Sequence, residues 1–176
     1  MSYIKNILQG NLFGDNALQT LRGMWRDTIE GEGGRCPCCD RWGKINALSI
    51  SETLALSLLW LSRQPVDDDG FVNVPACAPA WVLRTKTYST LQHWGLIIKV
   101  DRNEDKTKRS DGFWQVTSKG LAFLKGEISV PKKVFIYDNT IQGFSQEEIY
   151  FRNCFGKHFD YQQVMSDSFN LNNIKA

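Results

Sequence analysis

Hydrophobic residues near the start of the chain recur at the spacing of a helix. Leu18, Leu21 and Trp25 would share one face of that helix, which we predict over residues 16–29. Asp15 stands directly before it and suits the N-cap, because a carboxylate there accepts hydrogen bonds from the first free amides. The next segment, residues 31–48, is rich in glycine, charge and cysteine and offers no apolar stripe, so we expect turns there.

The pattern is most informative between residues 49 and 126. Ser49 and Glu52 form a capping box ahead of an apolar run, which predicts a helix ending near Arg63. The elements predicted after it are, in order, a strand over 71–74, a helix around Trp81 that Pro79 shortens, a helix over 84–94 that stops at Gly95, a strand over 96–100, a charged loop over 101–112, a strand over 113–117 and a helix over 118–125.

The remaining residues form an extension of this segment. Val134–Tyr137 predicts a strand followed by an Asp-Asn-Thr turn, and Ser145 with Glu148 forms a second capping box that predicts a helix. We therefore expect an α+β protein in three parts: an N-terminal helix and cysteine-rich loop over 1–48, a central domain over 49–126, and a C-terminal strand-plus-helix extension over 127–176 that packs on the central domain.

The central order of helix, strand, two helices, strand, charged loop and strand is typical of a winged helix-turn-helix. Leu91–Ile97 reads Leu-Gln-His-Trp-Gly-Leu-Ile and resembles the end of the recognition helix in MarR-like regulators, where a Gly-Leu-Ile turn leads into the wing. Val116–Gly120 reads Val-Thr-Ser-Lys-Gly and resembles the string that closes that wing. The resemblance covers about residues 51–126 and implies a winged helix. It does not cover the ends, where MarR-like proteins place dimerisation helices, so a homodimer stays open.

Charge is concentrated in this domain. Residues 84–110 hold seven basic and three acidic side chains, which gives +4 against +2 for the whole chain. On the helix over 84–94 we expect Thr87, Leu91 and Trp94 to face inward. The candidate contacts to double-stranded DNA are Arg84, Lys86, Ser89, Gln92 and His93 on the helix, and Lys106, Lys108 and Arg109 in the wing. The alternative interpretation of the same residues is a solvated surface or a protein-docking face.

Three of the five cysteines stand within four residues, in the sequence Cys36-Pro37-Cys38-Cys39. Cys36 and Cys39 have the Cys-Pro-x-Cys spacing of a zinc knuckle, which presents two thiolates to one tetrahedral Zn²⁺ ion. We expect Cys154 and His158 to supply the second pair, because Cys-x3-His spacing places them one helical turn apart; Cys38 is a possible substitute. A redox pair and unmetallated thiols are the weaker alternatives. The six tryptophans are expected in the core or at interfaces.

Enzyme motifs are missing from the chain. The sequence has no Gly-x-x-x-x-Gly-Lys-Ser/Thr, no Gly-x-Ser-x-Gly and no His-Glu-x-x-His, so we predict that the protein is not an enzyme. The longest apolar run, around residues 54–61, is too short for a bilayer, and no signal sequence opens the chain. We therefore predict a cytoplasmic, zinc-stabilised regulator with no membrane partner.

A loose resemblance of the whole chain to uncharacterised bacteriophage-encoded proteins suggests an alternative. The protein would then be an inhibitor or adaptor that acts in the host cytoplasm and binds a host protein through its winged helix.

Overall fold

The computed structural model describes residues 15–100 and 112–156, which are arranged as the predicted α+β class. Residues 15–47 and 135–143 form one compact unit, here called the cysteine unit. The other described residues, 48–100, 112–134 and 144–156, form a second one, the core unit. Within the described ranges no helix combines the length and the apolarity needed to cross a membrane.

The cysteine unit begins with helix α1, Asp15–Glu30, close to its predicted bounds. Leu18 is 47% exposed, contrary to its predicted place in the apolar stripe, and Ile29 is the buried end of that stripe. A short antiparallel hairpin follows, formed by β1 (Gly34–Arg35) and β2 (Trp42–Gly43). The cysteines therefore lie in the turn of a hairpin rather than in an irregular loop.

A second hairpin completes this part of the fold. Strands β8 (Lys133–Tyr137) and β9 (Thr140–Phe144) are joined by a two-residue turn, and β8 is the middle strand of a three-stranded sheet with β3 (Asn46–Ser49). Both turn residues, Asp138 and Asn139, have positive φ angles of 47° and 59°. Such angles characterise the tight turns that match strand twist, and Asp and Asn tolerate them. The strand predicted over Val134–Tyr137 and the turn after it are present, and strand β9 was not predicted.

The core unit is built on helix α2, Glu52–Ser62, whose side chains are buried almost all round. Its N-cap is Ser51, whose hydroxyl accepts from the Leu54 amide at 3.4 Å. The predicted capping box is therefore wrong by two residues. Ser49 is the last residue of β3, and a residue held in a sheet cannot cap the next helix.

A three-stranded antiparallel sheet packs beside α2. Its strands are β4 (Val72–Asn73), β5 (Ile97–Val100) and β6 (Phe113–Val116), in the order β4-β6-β5. The helices linked to them are α3 (Val74–Cys77), α4 (Ala80–Thr85) and α5 (Ser118–Leu124), with a 3₁₀ helix over Thr87–Trp94, here called the long 3₁₀ helix. Thr117 caps α5 by accepting from the Gly120 amide at 3.0 Å.

The C-terminal helix predicted from Ser145 is not formed. The chain instead adds β10 (Glu148–Ile149), which pairs with β7 (Val130–Pro131), and a short 3₁₀ helix, Phe151–Cys154. The Ser145 hydroxyl accepts from the Lys133 amide at 3.0 Å and donates to the Glu147 carbonyl at 2.9 Å. The hydroxyl that would cap a helix is therefore used in pairing with β8, and the tertiary contact decides the structure.

Candidate nucleic-acid interface and metal centre

The predicted recognition helix over 84–94 is two elements with a break at Lys86. Helix α4 ends there, because Lys86 adopts the left-handed conformation at φ 50° and ψ 15°. The hydroxyls of the next residues then bond back three positions, Ser89 to the Lys86 carbonyl at 3.3 Å and Thr90 to the Thr87 carbonyl at 2.7 Å. These local bonds compete with α-helical pairing and accompany the tighter 3₁₀ form. A single α-helix over 84–94 was therefore a wrong prediction.

The change of helix type alters which residues face the core. In a 3₁₀ helix every third residue shares a face, and Tyr88, Leu91 and Trp94 form the inward one. Leu91 and Trp94 are buried as predicted, at 0% and 2% exposure. Thr87 was predicted to face inward but is exposed. Tyr88 takes that place and packs edge-to-face on Trp114, with 5.7 Å between the ring centroids. The prediction assumed a period of 3.6 residues, which does not apply here.

Trp94 is also the best-anchored residue of the long 3₁₀ helix. Its indole Nε1 donates to the Pro131 carbonyl at 2.6 Å, and its own carbonyl accepts from Lys119 Nζ at 2.8 Å. Gly95 follows with a φ of 70°, the left-handed stop that the sequence predicted. The end of this helix is thus held by the backbone of one other segment of the core unit and by a side chain of another.

The residues of this segment that were predicted to contact nucleic acid differ in exposure. Ser89 and Gln92 are three residues apart in the long 3₁₀ helix and therefore lie in one row, and Lys86 is the left-handed N-cap before it. Lys86 and Gln92 are exposed, whereas Ser89 is half-buried. Arg84 is exposed but belongs to α4, before the break. His93 lies beside this row, half-buried, and burial lowers the pKa of its imidazole.

The predicted wing contacts Lys106, Lys108 and Arg109 lie outside the described residues, as does most of the charged loop. The strands that lead into and out of that loop are described. They pair antiparallel from Ile97 opposite Val116 to Val100 opposite Phe113. The loop therefore starts and ends at neighbouring positions of one hairpin.

The cysteine turn is closed by backbone hydrogen bonds at both ends. The Cys36 amide donates to the Arg41 carbonyl at 2.8 Å, and the Asp40 amide donates to the Cys36 carbonyl at 2.9 Å. Asp40 adopts a positive φ of 58°, and its carboxylate and carbonyl accept from the Arg35 guanidinium at 3.2 Å and 3.0 Å. A turn held in this way brings Cys36 and Cys39 to one side of the hairpin tip.

The sulfur of Cys36 already has the surroundings of a thiolate. The amides of Cys38 and Cys39 donate to it, and these bonds, with smaller contributions from the two neighbouring thiols, lower the pKa of the Cys36 thiol. Amide donors stabilise a sulfur that carries negative charge, as a metal-bound thiolate does. The turn therefore fits half of a tetrahedral zinc site, with Cys36 and Cys39 as the ligand pair.

The structure does not describe both members of the predicted second pair of zinc ligands. His158 lies outside the described residues. Cys154 is in the core unit, where its thiol donates to the Tyr150 carbonyl at 3.6 Å and burial raises its pKa to about 12. Cys77 bonds in the same way to the Asn73 carbonyl at 3.1 Å. In the part of the chain that the structure describes, no three Cys, His, Asp or Glu side chains are grouped to hold a metal ion.

The structure adds a feature that the sequence prediction missed. Trp42 is 60% exposed, although the tryptophans were expected in the core or at interfaces. It stands at an open groove of about 320 Å³ in the cysteine unit, here called the tryptophan groove, which is lined by Arg41, Trp42, Gly43, Lys44, Asn46, Tyr137 and Asp138. The signal in the sequence is the Trp-Gly pair directly after the cysteine turn, since strand alternation sends only one of two neighbours inward.

Comparisons with models of protein families, with curated proteins and with solved structures find no match. The resemblances to MarR-like regulators and to bacteriophage proteins therefore stay predictions. The case for a function depends on the geometry of the two units.

Proposed function

We propose that this chain is a zinc-stabilised winged-helix protein that binds double-stranded DNA as a small transcriptional regulator. The observation that supports it best is the connectivity of the core unit. Helix α2, strand β4, the helices from Val74 to Trp94 and the strands β5 and β6 follow in winged-helix order, and β6 lies between the other two strands.

The long 3₁₀ helix would be the reading element. Lys86 at its N-cap and Gln92 within it are exposed, and Ser89 between them is half-buried, so this segment would offer an ammonium group, a hydroxyl and an amide. Ser89 donates its proton to the Lys86 carbonyl, but its oxygen keeps acceptor capacity for a base amino group. An amide such as that of Gln92 pairs with adenine in the major groove.

The wing would supply contacts to the phosphate backbone. The net charge of +4 over residues 84–110 exceeds that of the whole chain, and four of the seven basic residues belong to the loop between β5 and β6. Lys99 stands exposed on β5 at the start of this hairpin. Lysine and arginine there would fix the protein on the duplex without reading its sequence.

The experiment is a series of titrations of labelled duplexes, of random and selected sequence, at several salt concentrations. The sharpest variant is Lys86→Asn, because asparagine tolerates the left-handed backbone and removes only the charge. We expect weaker binding to every duplex and a salt slope reduced by about one unit. Gln92→Ala should instead change the preference between sequences. Lys133→Ala, another exposed lysine, is the matched control and should bind like the wild type.

Absence of salt-dependent binding to any duplex would rule out the DNA-binding function. The second candidate, docking to a host protein, has its own observation in the core unit. Val66 and Leu121 are 59% and 44% exposed and line an apolar depression of about 220 Å³. A partner that is lost in Leu121→Asp but retained in Lys86→Asn would support this alternative.

Zinc would have a structural role in the cysteine unit. Cys36 and Cys39 would hold one side of the ion. A closed site with four protein ligands stabilises a fold and leaves no position for substrate, which agrees with a binding protein rather than an enzyme.

A further inference from the structure

The indole of Trp42 is held in place although most of its surface is exposed. On the two-residue strand β2, Trp42 points outward and Gly43 points inward, where a Cβ would come within 2.6 Å of the Trp25 ring. The outer indole lies against Gly33, where a Cβ would come within 3.1 Å of Trp42 Cζ2. Gly33 also has a φ of 84°, which disfavours a side chain there. The exposed ring is thus a supported platform rather than a freely moving side chain.

Two basic residues flank Trp42 in the sequence, and both line the tryptophan groove. Arg41 precedes Trp42 and Lys44 follows it by two positions, and both are exposed. Neither is in an ion pair among the described residues, whereas the nearby Arg35 is paired with Asp40 at 3.2 Å. An exposed aromatic face with unpaired cations beside it is the arrangement that binds a base by stacking and its phosphates by charge.

The lining of the groove also includes groups suited to the edge of a base. Asp138 occupies the tight turn between β8 and β9, so its carboxylate is presented from a defined backbone position. A carboxylate accepts from an exocyclic amino group, as on cytosine N4. The same carboxylate would repel an acidic peptide, which the two basic residues would otherwise attract. Asn46 and Tyr137 add further hydrogen-bonding groups.

We infer that the tryptophan groove binds one unpaired nucleotide of a single-stranded nucleic acid. The base stacks on Trp42, its edge faces Asp138, and the flanking phosphates contact Arg41 and Lys44. A volume of about 320 Å³ lies at the lower end of ligand sites and suits one nucleotide. The inference is independent of duplex binding, because every residue involved belongs to the cysteine unit.

The test uses the full chain and fluorescein-labelled ten-nucleotide strands of dC, dT and dA, with anisotropy as the readout. We expect single-strand binding that weakens with salt, with dC bound more tightly than dT. Trp42→Ala should lose about tenfold in affinity, the range of one stacked base, and Trp42→Phe should recover part of it. Asp138→Asn should reduce the preference for dC over dT.

Two controls separate this site from the duplex site. Tyr150→Ala removes an exposed aromatic ring of the core unit and should bind single strands like the wild type. Lys86→Asn should weaken duplex binding and keep single-strand binding, while Trp42→Ala should weaken single-strand binding and keep duplex binding. Because Trp42 is exposed, its removal should leave the melting temperature nearly unchanged.

Three results would overturn the inference. The first is that the wild-type protein binds no single strand. The second is that Trp42→Ala binds single strands as well as the wild type does. The third is that a poly-glutamate peptide displaces the labelled strand more effectively than unlabelled dC does, which would identify an acidic peptide site instead.

Discussion

The two units of this protein are stabilised in different ways. Of the buried apolar side chains in the described ranges, only Ile29 and Ile136 belong to the cysteine unit, and all the others belong to the core unit. The core unit has a mostly apolar, largely buried helix, α2, covered by the sheet and the long 3₁₀ helix. The cysteine unit has a half-buried amphipathic helix and two hairpins whose turns depend on positive φ angles.

The comparison shows where each unit is vulnerable. Burial of apolar surface is the main favourable contribution to folding, and two buried isoleucines contribute only about 3–6 kcal/mol by that route. A unit of this kind needs another source of stability, and small domains commonly obtain it from a structural metal. The proposed zinc ion at the cysteine turn would supply that stability, whereas the core unit does not need a metal for it.

Removal of zinc should have the largest effect, and it should be confined to one unit. We expect about one zinc per chain, bound with an apparent free energy on the order of 10 kcal/mol, as in small zinc domains. A chelator, or Cys39→Ser, should abolish protection from hydrogen exchange in residues 15–47. Protection of α2 should persist. Mass spectrometry of the native protein gives the metal content, and exchange measured on peptides gives the location.

Cys77→Ser is the matched control, because Cys77 is an exposed thiol outside the turn. It should retain the metal. Protein purified without chelators that contains no zinc would contradict the prediction. Zinc retained in the double variant Cys154→Ser, His158→Ala would instead contradict only the choice of the second pair.

Removal of a tryptophan from each unit should change the melting temperature by very different amounts. Trp94 is 2% exposed and donates to the Pro131 carbonyl at 2.6 Å, so Trp94→Ala should cost about 3–5 kcal/mol. The melting temperature of the core unit should fall on the order of 10 °C. Trp42→Ala, at 60% exposure, should change it by less than about 1 °C. Thermal melts followed by circular dichroism test both, and equal shifts would contradict the assigned burial.

Two buried glycines, one in each unit, allow the tightness of packing in the two units to be compared. A Cβ at Gly120 would overlap the carbonyl oxygen of Leu96, which is backbone and cannot turn aside. A Cβ at Gly43 would meet the indole of Trp25, a side chain able to shift. We expect Gly120→Ala to cost about 1–3 kcal/mol and Gly43→Ala to cost less. Denaturant titrations of both variants provide the measurement, and the reverse order would be inconsistent with this packing.

The smallest expected effect concerns pH and His93. Burial lowers the pKa of this imidazole below its unfolded value, so the unfolded chain binds the proton more readily. Its contribution to stability is therefore complete above about pH 6.5 and declines as the pH falls below that value. His93→Gln should flatten the stability of the core unit between about pH 7 and pH 5. Denaturant midpoints across this range test it, and an unchanged slope would argue against the role.

Sequence patterns predicted the core unit well where local signals and packing agree. The apolar run of α2 and the stop at Gly95 each depend on neighbours in the chain, and each is present. Two of the errors occur where a distant strand takes over a local signal. Ser49 and Ser145 have the spacing of capping boxes, but pairing in sheets uses both of them.

The candidate sites were predictable to different extents. The pair Cys36 and Cys39 follows from spacing, because a turn of four residues is a local structure. Lys86 and Gln92 are exposed as predicted, whereas Ser89 is half-buried, and the helix type was not predicted. The tryptophan groove could not be predicted, because Tyr137 and Asp138 reach it from a hairpin far downstream. Nothing near Trp42 in the sequence indicates that Tyr137 and Asp138 line the same groove.

The discontinuity of the cysteine unit has a consequence for the order of synthesis. Its thiols emerge from the ribosome early, but residues 135–143 emerge only after most of the core unit has been made. Contacts between distant segments form late, so the cysteine unit cannot be completed before its second segment has emerged. A chain that terminates before residue 135 would carry all three clustered thiols on an incomplete scaffold. Truncated products of this gene are therefore expected to cross-link or to sequester metal.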